Sequence, residues 1–159
     1  MKHLPKHLRA HWRYLGVELR SDPDLDLNRG TFQREVWYAL QNLLGDPGAA
    51  AVDGTVVRFH FDAPTGGAVV RVRRGEVDRG RAALACVDAV DDRPLRPVVR
   101  GTSGTIRACE EKYLPGPREA REQSDVAFEG AQRSAVLDGT AVDVRTDEGV
   151  VGATRRDLE

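Results

Sequence analysis

Lysine is nearly missing from this chain of 159 residues. It occurs only as Lys2, Lys6 and Lys112 among 24 basic residues, so the positive charge is carried by arginine. A guanidinium presents a planar fork of donors, which suits paired contacts to phosphate and stacking on flat rings. Cysteine is equally sparse. Cys86 and Cys109 form no C-x-x-C pair, which disfavours a zinc site or a disulfide framework and reads as two reduced, part-buried thiols. No apolar run approaches the roughly 20 residues that span a bilayer. No apolar segment follows the basic residues at the N-terminus, so a secretory signal is not expected and the chain reads as cytoplasmic. Catalytic signatures are missing too: there is no G-x-S-x-G, no phosphate-binding G-x-x-x-x-G-K and no H-E-x-x-H. Asp22, Asp24 and Asp26 alternate like a calcium loop. Leu27 and Gln33 stand where such a loop needs glycine and glutamate, which disfavours calcium.

The net charge of −1 hides an asymmetry. Residues 1–114 hold 18 basic and 15 acidic side chains, whereas residues 115–159 hold 6 and 10. A mildly basic part precedes an acidic one. The length suits one domain with a core and an appendage, here a basic arm over 1–11, an α/β domain over 12–114 and an acidic extension over 115–159.

In the arm, His3, His7 and His11 are spaced for one helical face, but Pro5 interrupts it and no carboxylate or thiol accompanies them. A solvated or anion-facing arm is favoured over a metal site. Trp12 to Arg20 alternates as a strand, with Leu15, Val17 and Leu19 on one side and Tyr14, Gly16, Glu18 and Arg20 on the other. Asn28 caps a predicted helix over 30–44, ended by Gly45, with Phe32, Val36, Leu40, Leu43 and Leu44 as its apolar face. Trp37 on that helix is read as a core contact rather than a partner surface, with Trp37 and Tyr38 together as the weaker candidate for a protein interface. A linker over 49–54 leads to a strand over 55–62, a hairpin loop over 63–67 and a strand over 68–74. A helix over 76–87 follows, then a turn at Asp91-Asp92 and a strand over 95–100. This β-α-β-β-α-β order predicts an α+β, ferredoxin-like (RRM-like) sandwich with an extra C-terminal helix. Its open sheet face would carry Tyr14, Arg58, His60, Arg71, Arg73, Arg96 and Arg100. The third strand lacks the aromatics that stack bases in an RRM, which favours contacts to phosphates and to RNA shape over base reading. Beyond Pro115-Gly116-Pro117 the expectation is a short charged stretch over 118–125, helical or not. A small β-like extension follows, with a hairpin at Asp138-Gly139; a disordered acidic tail is the rival.

The most organised stretch is Gly101 to Leu114, GTSGTIRACEEKYL. It leaves a strand, passes small and hydroxyl residues with Ser103 as the expected N-cap, and enters a helix whose Ile106, Cys109 and Tyr113 share a face. A helix start with Arg107 in its first turn suits an anion; an ordinary cap is the alternative.

This stretch, together with Leu4-Pro5-Lys6-His7-Leu8-Arg9-Ala10-His11-Trp12-Arg13-Tyr14-Leu15, resembles the two signature motifs of the archaeal ribonuclease P protein component 2 family. The resemblance covers residues 1–114. It implies a noncatalytic subunit of the ribonucleoprotein endonuclease that removes the 5′ leader of precursor tRNA. Cleavage would fall to an RNA subunit holding Mg2+, with no cofactor on this chain. The implied partners are that RNA, a TIM-barrel protein subunit, other ribonuclease P proteins, precursor tRNA indirectly and a second copy of the chain. The RNA contacts implied by the motifs are Lys6, Arg9, Arg13, Ser103, Thr105 and Arg107; Arg71 and Arg73, from the alternation-derived sheet face, stand behind them. Thr102 stands where the family usually has a small apolar residue, and His11-Trp12 where a more basic pair is usual. The arginine-rich, lysine-poor, aspartate-rich composition is similar to that of haloarchaeal proteins. In molar salt the Debye length is about 3 Å, so binding there leans on close contacts and shape. A ferredoxin-like small-ligand regulatory module without RNA, and a structural adaptor that binds the TIM-barrel subunit and touches RNA little, are the alternatives.

Overall fold

The computed structural model describes residues 4–114, 122–138 and 141–158. The elements run β1 (Trp12–Ser21), α1 (Arg29–Val52), β2 (Thr55–Asp62), β3 (Thr65–Arg73), α2 (Val77–Ala85), β4 (Ala89–Val90), β5 (Arg93–Ser103) and α3 (Ile106–Tyr113). Four more strands follow: β6 (Glu122–Phe128), β7 (Ala131–Asp138), β8 (Ala141–Thr146) and β9 (Gly149–Thr154). The main sheet has the order β2-β3-β1-β5-β4 and is antiparallel throughout. With α1 and α2 this is the expected β-α-β-β-α-β sandwich, the last strand entered by a hairpin through Asp91 and Asp92, both at positive φ. The second sheet is a meander of order β6-β7-β8-β9.

Alternation along β1 builds the core. Leu15, Val17 and Leu19 meet Phe32, Val36 and Leu40 of α1 and Leu84 of α2, with Val56, Val70, Val72 and Leu95 from the neighbouring strands, all essentially dry. Burying each such aliphatic side chain contributes about 1.5–3 kcal/mol. The C-terminal sheet has its own small core of Val126, Phe128, Ala135, Val142 and Val144.

Several element boundaries differ from expectation. Asn28 does cap α1, its Oδ1 accepting the Thr31 N–H at 2.9 Å. Gly45 breaks the helix at φ 70° but does not end it, because Pro47 suits the first turn of a new helical segment and the helix resumes to Val52. The predicted linker over 49–54 is therefore mostly helix. The predicted loop over 63–67 shrinks to Ala63-Pro64, with a cis peptide between them, and Thr65 already pairs with Asp62. The sheet face opposite α1 and α2 is not open at its centre. By register Gly16, Val69 and Gly101 lie there side by side, and α3 packs across them. In the charged stretch, residues 122–125 are the start of β6 and residues 118–121 lie outside the described residues, as do Pro115-Gly116-Pro117 and the Gly139 of the expected hairpin. The acidic extension is a folded meander where it is described.

Candidate nucleic-acid interface

β1 pairs with β5 so that Tyr14 faces Ser103, and with β3 so that Tyr14 faces Arg71 and Trp12 faces Arg73. The two motifs, distant in sequence, thus meet at one end of the sheet. The N-terminal arm leaves from Trp12 and α3 leaves from Ser103 at this same end.

Lys6 sits in a 3-10 turn, Lys6–Leu8, and is exposed. Arg9 is exposed and turned back on its own arm, its Nε donating to the Leu4 carbonyl at 2.9 Å. Arg13 is half-buried and donates to the Trp12 carbonyl at 3.2 Å. Arg71 and Arg73 both lie over the Trp12 ring, at 4.0 and 4.3 Å from its centroid. Arg73 also pairs with Asp53 at 3.1 Å. Trp12 is thus a platform that holds two guanidiniums, each contact contributing about 0.5–1 kcal/mol at such a half-exposed site.

Ser103 is not the helix cap. It ends β5, and the chain needs two more residues before helical geometry begins. Thr105 is the cap, its Oγ1 accepting the Ala108 N–H at 3.2 Å. Arg107 is exposed and reaches Glu111 at 2.9 Å, one turn on. α3 is pinned to the sheet by Cys109, fully buried, whose thiol donates to the Tyr14 carbonyl at 3.6 Å. Tyr113 lies over the glycine pair: a Cβ on Gly16 would fall 2.6 Å from Tyr113 Cβ, and one on Gly101 only 2.2 Å from Tyr113 Cζ. Both glycines are needed for close approach. Arg58 joins this lid through Glu110 at 3.3 Å.

The basic face expected from alternation is therefore divided. Arg71 and Arg73 remain at the motif end. Arg58 is paired with α3. Arg100, at a bulge in β5, donates from Nε to Glu18 at 2.5 Å, and Arg96 contacts Asp143 of β8. Trp37 and Tyr38 are about half exposed on α1, in the helical layer; the Trp37 indole N–H is held by the Gly54 carbonyl at 3.1 Å. Sequence reasoning missed Trp12 as a cation platform, and Glu18 and Asp143 as buried partners. The only available signal for Trp12 was its place one strand position before a basic residue. Among the described residues no three His, Cys, Asp or Glu side chains gather as a metal-ligand set. No helix among them is long and apolar enough to cross a membrane.

Residues 13–114 match the model of the Rpp14/Pop5 family. The chain belongs to that family. Among its relatives, the ribonuclease P protein component 2 of Natronomonas pharaonis is 58% identical over 158 residues, covering 99% of this chain and 98% of the relative. That of Haloarcula marismortui is 55% identical over 160 residues, covering 99% of each. The namesake from Pyrococcus horikoshii is 32% identical over 114 residues, which is 72% of this chain and 92% of the relative. In the cryo-EM structure of yeast ribonuclease MRP, a chain aligns with a TM-score of 0.48 and 18% identity, over 63% of this chain and 79% of that one.

Proposed function

We propose that this Rpp14/Pop5 member is a noncatalytic protein subunit of ribonuclease P in a salt-adapted archaeal cytoplasm. In that role it supports the RNA subunit, whose bound Mg2+ carries out 5′ cleavage of precursor tRNA, together with a TIM-barrel protein subunit. The observation that carries the reading is the meeting of the two family motifs at one end of the sheet, with Tyr14 opposite Ser103. That end gathers the exposed arm, the Trp12 platform with its two arginines, and the start of α3 with Arg107. Guanidiniums held rigidly against a ring are pre-organised for phosphate oxygens. Cations so placed offset repulsion between closely packed RNA strands, and so favour the RNA fold that binds Mg2+. Trp37 and Tyr38 are the proposed contact for a protein partner, and a second copy of the chain is a further proposed partner.

The test is reconstitution at high salt with the RNA subunit and the TIM-barrel protein, with and without this chain. Cleavage at the mature 5′ end at low Mg2+ is expected only with it, and none from the chain alone. Replacing Arg9 and Arg107 together by alanine is expected to lower activity about tenfold at limiting Mg2+, with recovery as Mg2+ is raised. Unchanged activity at limiting Mg2+ would remove both residues from the interface.

A further inference from the structure

At the end of the main sheet away from the motifs, β1 and β5 place Arg20 opposite Arg96. Both point at the C-terminal sheet. The Asp143 carboxylate of β8 bridges them: Oδ2 lies 3.2 Å from Arg20 Nη1, and Oδ1 contacts Arg96 Nη2. Arg20 also pairs with Glu18 at 2.5 Å, and Arg100 holds the other oxygen of Glu18. Arg20, Glu18 and Asp143 are buried, at 3%, 5% and 7% exposure, whereas the side chains of Arg96 and Arg100 reach the surface at 31% and 40%. Among the described residues the network includes three guanidiniums and two carboxylates. Asp143 thus supplies buried negative charge to both Arg20 and Arg96, and a buried guanidinium such as that of Arg20 requires an anionic partner.

A second observation concerns the same arginine. Gly152 of β9 sits so close to Arg96 that a Cβ there would come within 2.9 Å of Nη1 and 3.1 Å of Cζ. Arg145 meets Asp22 at 2.6 Å beside a cavity of about 300 Å³ lined by Arg20, Asp22, Pro64, Asp143 and Arg145, and each sheet keeps its own apolar core. An interface held by ion pairs around a cavity yields to a competing ion more readily than an apolar one does.

We propose that the C-terminal sheet is a built-in acidic cap: Asp143 occupies a two-arginine site, Arg20 with Arg96, that takes a phosphate group of RNA when the cap is released. One carboxylate bridging two guanidinium forks stands in for two phosphate oxygens. The proposal rests on the RNA-binding function above. It limits the RNA footprint of the capped chain to the motif end and extends it along the sheet on release. The P. horikoshii relative, matched over 92% of its own length by 114 residues, is too short to carry an extension of this size.

The experiment uses the full chain and ribonuclease P RNA at fixed potassium chloride. Asp143→Asn removes the bridging charge, and Gly152→Val crowds the Arg96 guanidinium away from β9, and so from Asp143, without changing charge. Each is expected to bind the RNA about tenfold more tightly and to steepen the salt dependence by the equivalent of one or two phosphate contacts. Adding Arg96→Gln to either is expected to abolish the gain. Faster amide exchange in β8 and β9 reports release. A wild-type chain that binds RNA, with variants that bind no more tightly, overturns the cap. Inorganic phosphate that raises the melting temperature of Asp143→Asn while RNA affinity stays level overturns the RNA assignment. A wild-type chain that binds no RNA and supports no cleavage overturns the parent function instead, and the cap with it.

Discussion

Cys109 is the residue whose chemistry the fold alters most. Its place beside Ile106 and Tyr113 on one helical face was legible from spacing, but its depth was not, because the covering surface comes from β1, β5 and β3. Burial, with Glu110 adding to it, pushes the thiol from its ordinary 9.0 up to about 11. The folded state thus favours the protonated thiol. That contribution to stability is whole below about pH 9 and is lost as pH rises through about 11. Alkylation at pH 8, read by mass spectrometry, is expected to label exposed Cys86 and spare Cys109 until the chain is unfolded. Equal labelling of both in the folded chain would mean that α3 does not seal this face. Cys109→Ser is expected to flatten the alkaline loss of stability between those two pH values.

At the scale of elements, period-two alternation sorted β1 correctly because its two faces have different neighbours: Leu15, Val17 and Leu19 go to the helices, Tyr14, Glu18 and Arg20 away from them. The same alternation could not say that the second face is covered. What covers it depends on Gly16 and Gly101 being adjacent across two strands, a fact of register with no local signature. Nor could spacing choose between Ser103 and Thr105, since both are hydroxyl residues ahead of an apolar helical face. The structure chooses Thr105, and thermal melting can check it. Thr105→Ala is expected to cost about 1 kcal/mol, while Ser103→Ala leaves the start of the helix intact. Gly101→Ala drives a methyl into the Tyr113 ring and is expected to cost about 1–3 kcal/mol through forced displacement of α3. A smaller loss for Thr105→Ala than for Ser103→Ala would restore Ser103 as the cap.

At the scale of the whole molecule, charge asymmetry and hairpin spacing made an acidic β extension legible, but nothing in the sequence said where it docks. Asp143 reads as a solvent-facing residue, because Val142 and Val144 beside it take the buried face of a two-sided strand. In the fold both faces of β8 are covered, one by the small second core and the other by Arg20 and Arg96. A buried carboxylate between two guanidiniums looks, in sequence, like any alternating aspartate. The two cores are unequal: the main one draws on five strands and two helices, the second on a handful of side chains from the meander. Local opening follows buried apolar contact. Amide exchange is therefore expected to be slowest in β1, β3 and the paired part of β5, and faster throughout β6 to β9. The gap should widen in Asp143→Asn, where the ionic dock is weakened, and should not change in Thr105→Ala, where only α3 is loosened. Protection of β8 and β9 equal to that of β1 would mean that the two sheets open as one cooperative unit, with the ion network coupling them despite the separate cores.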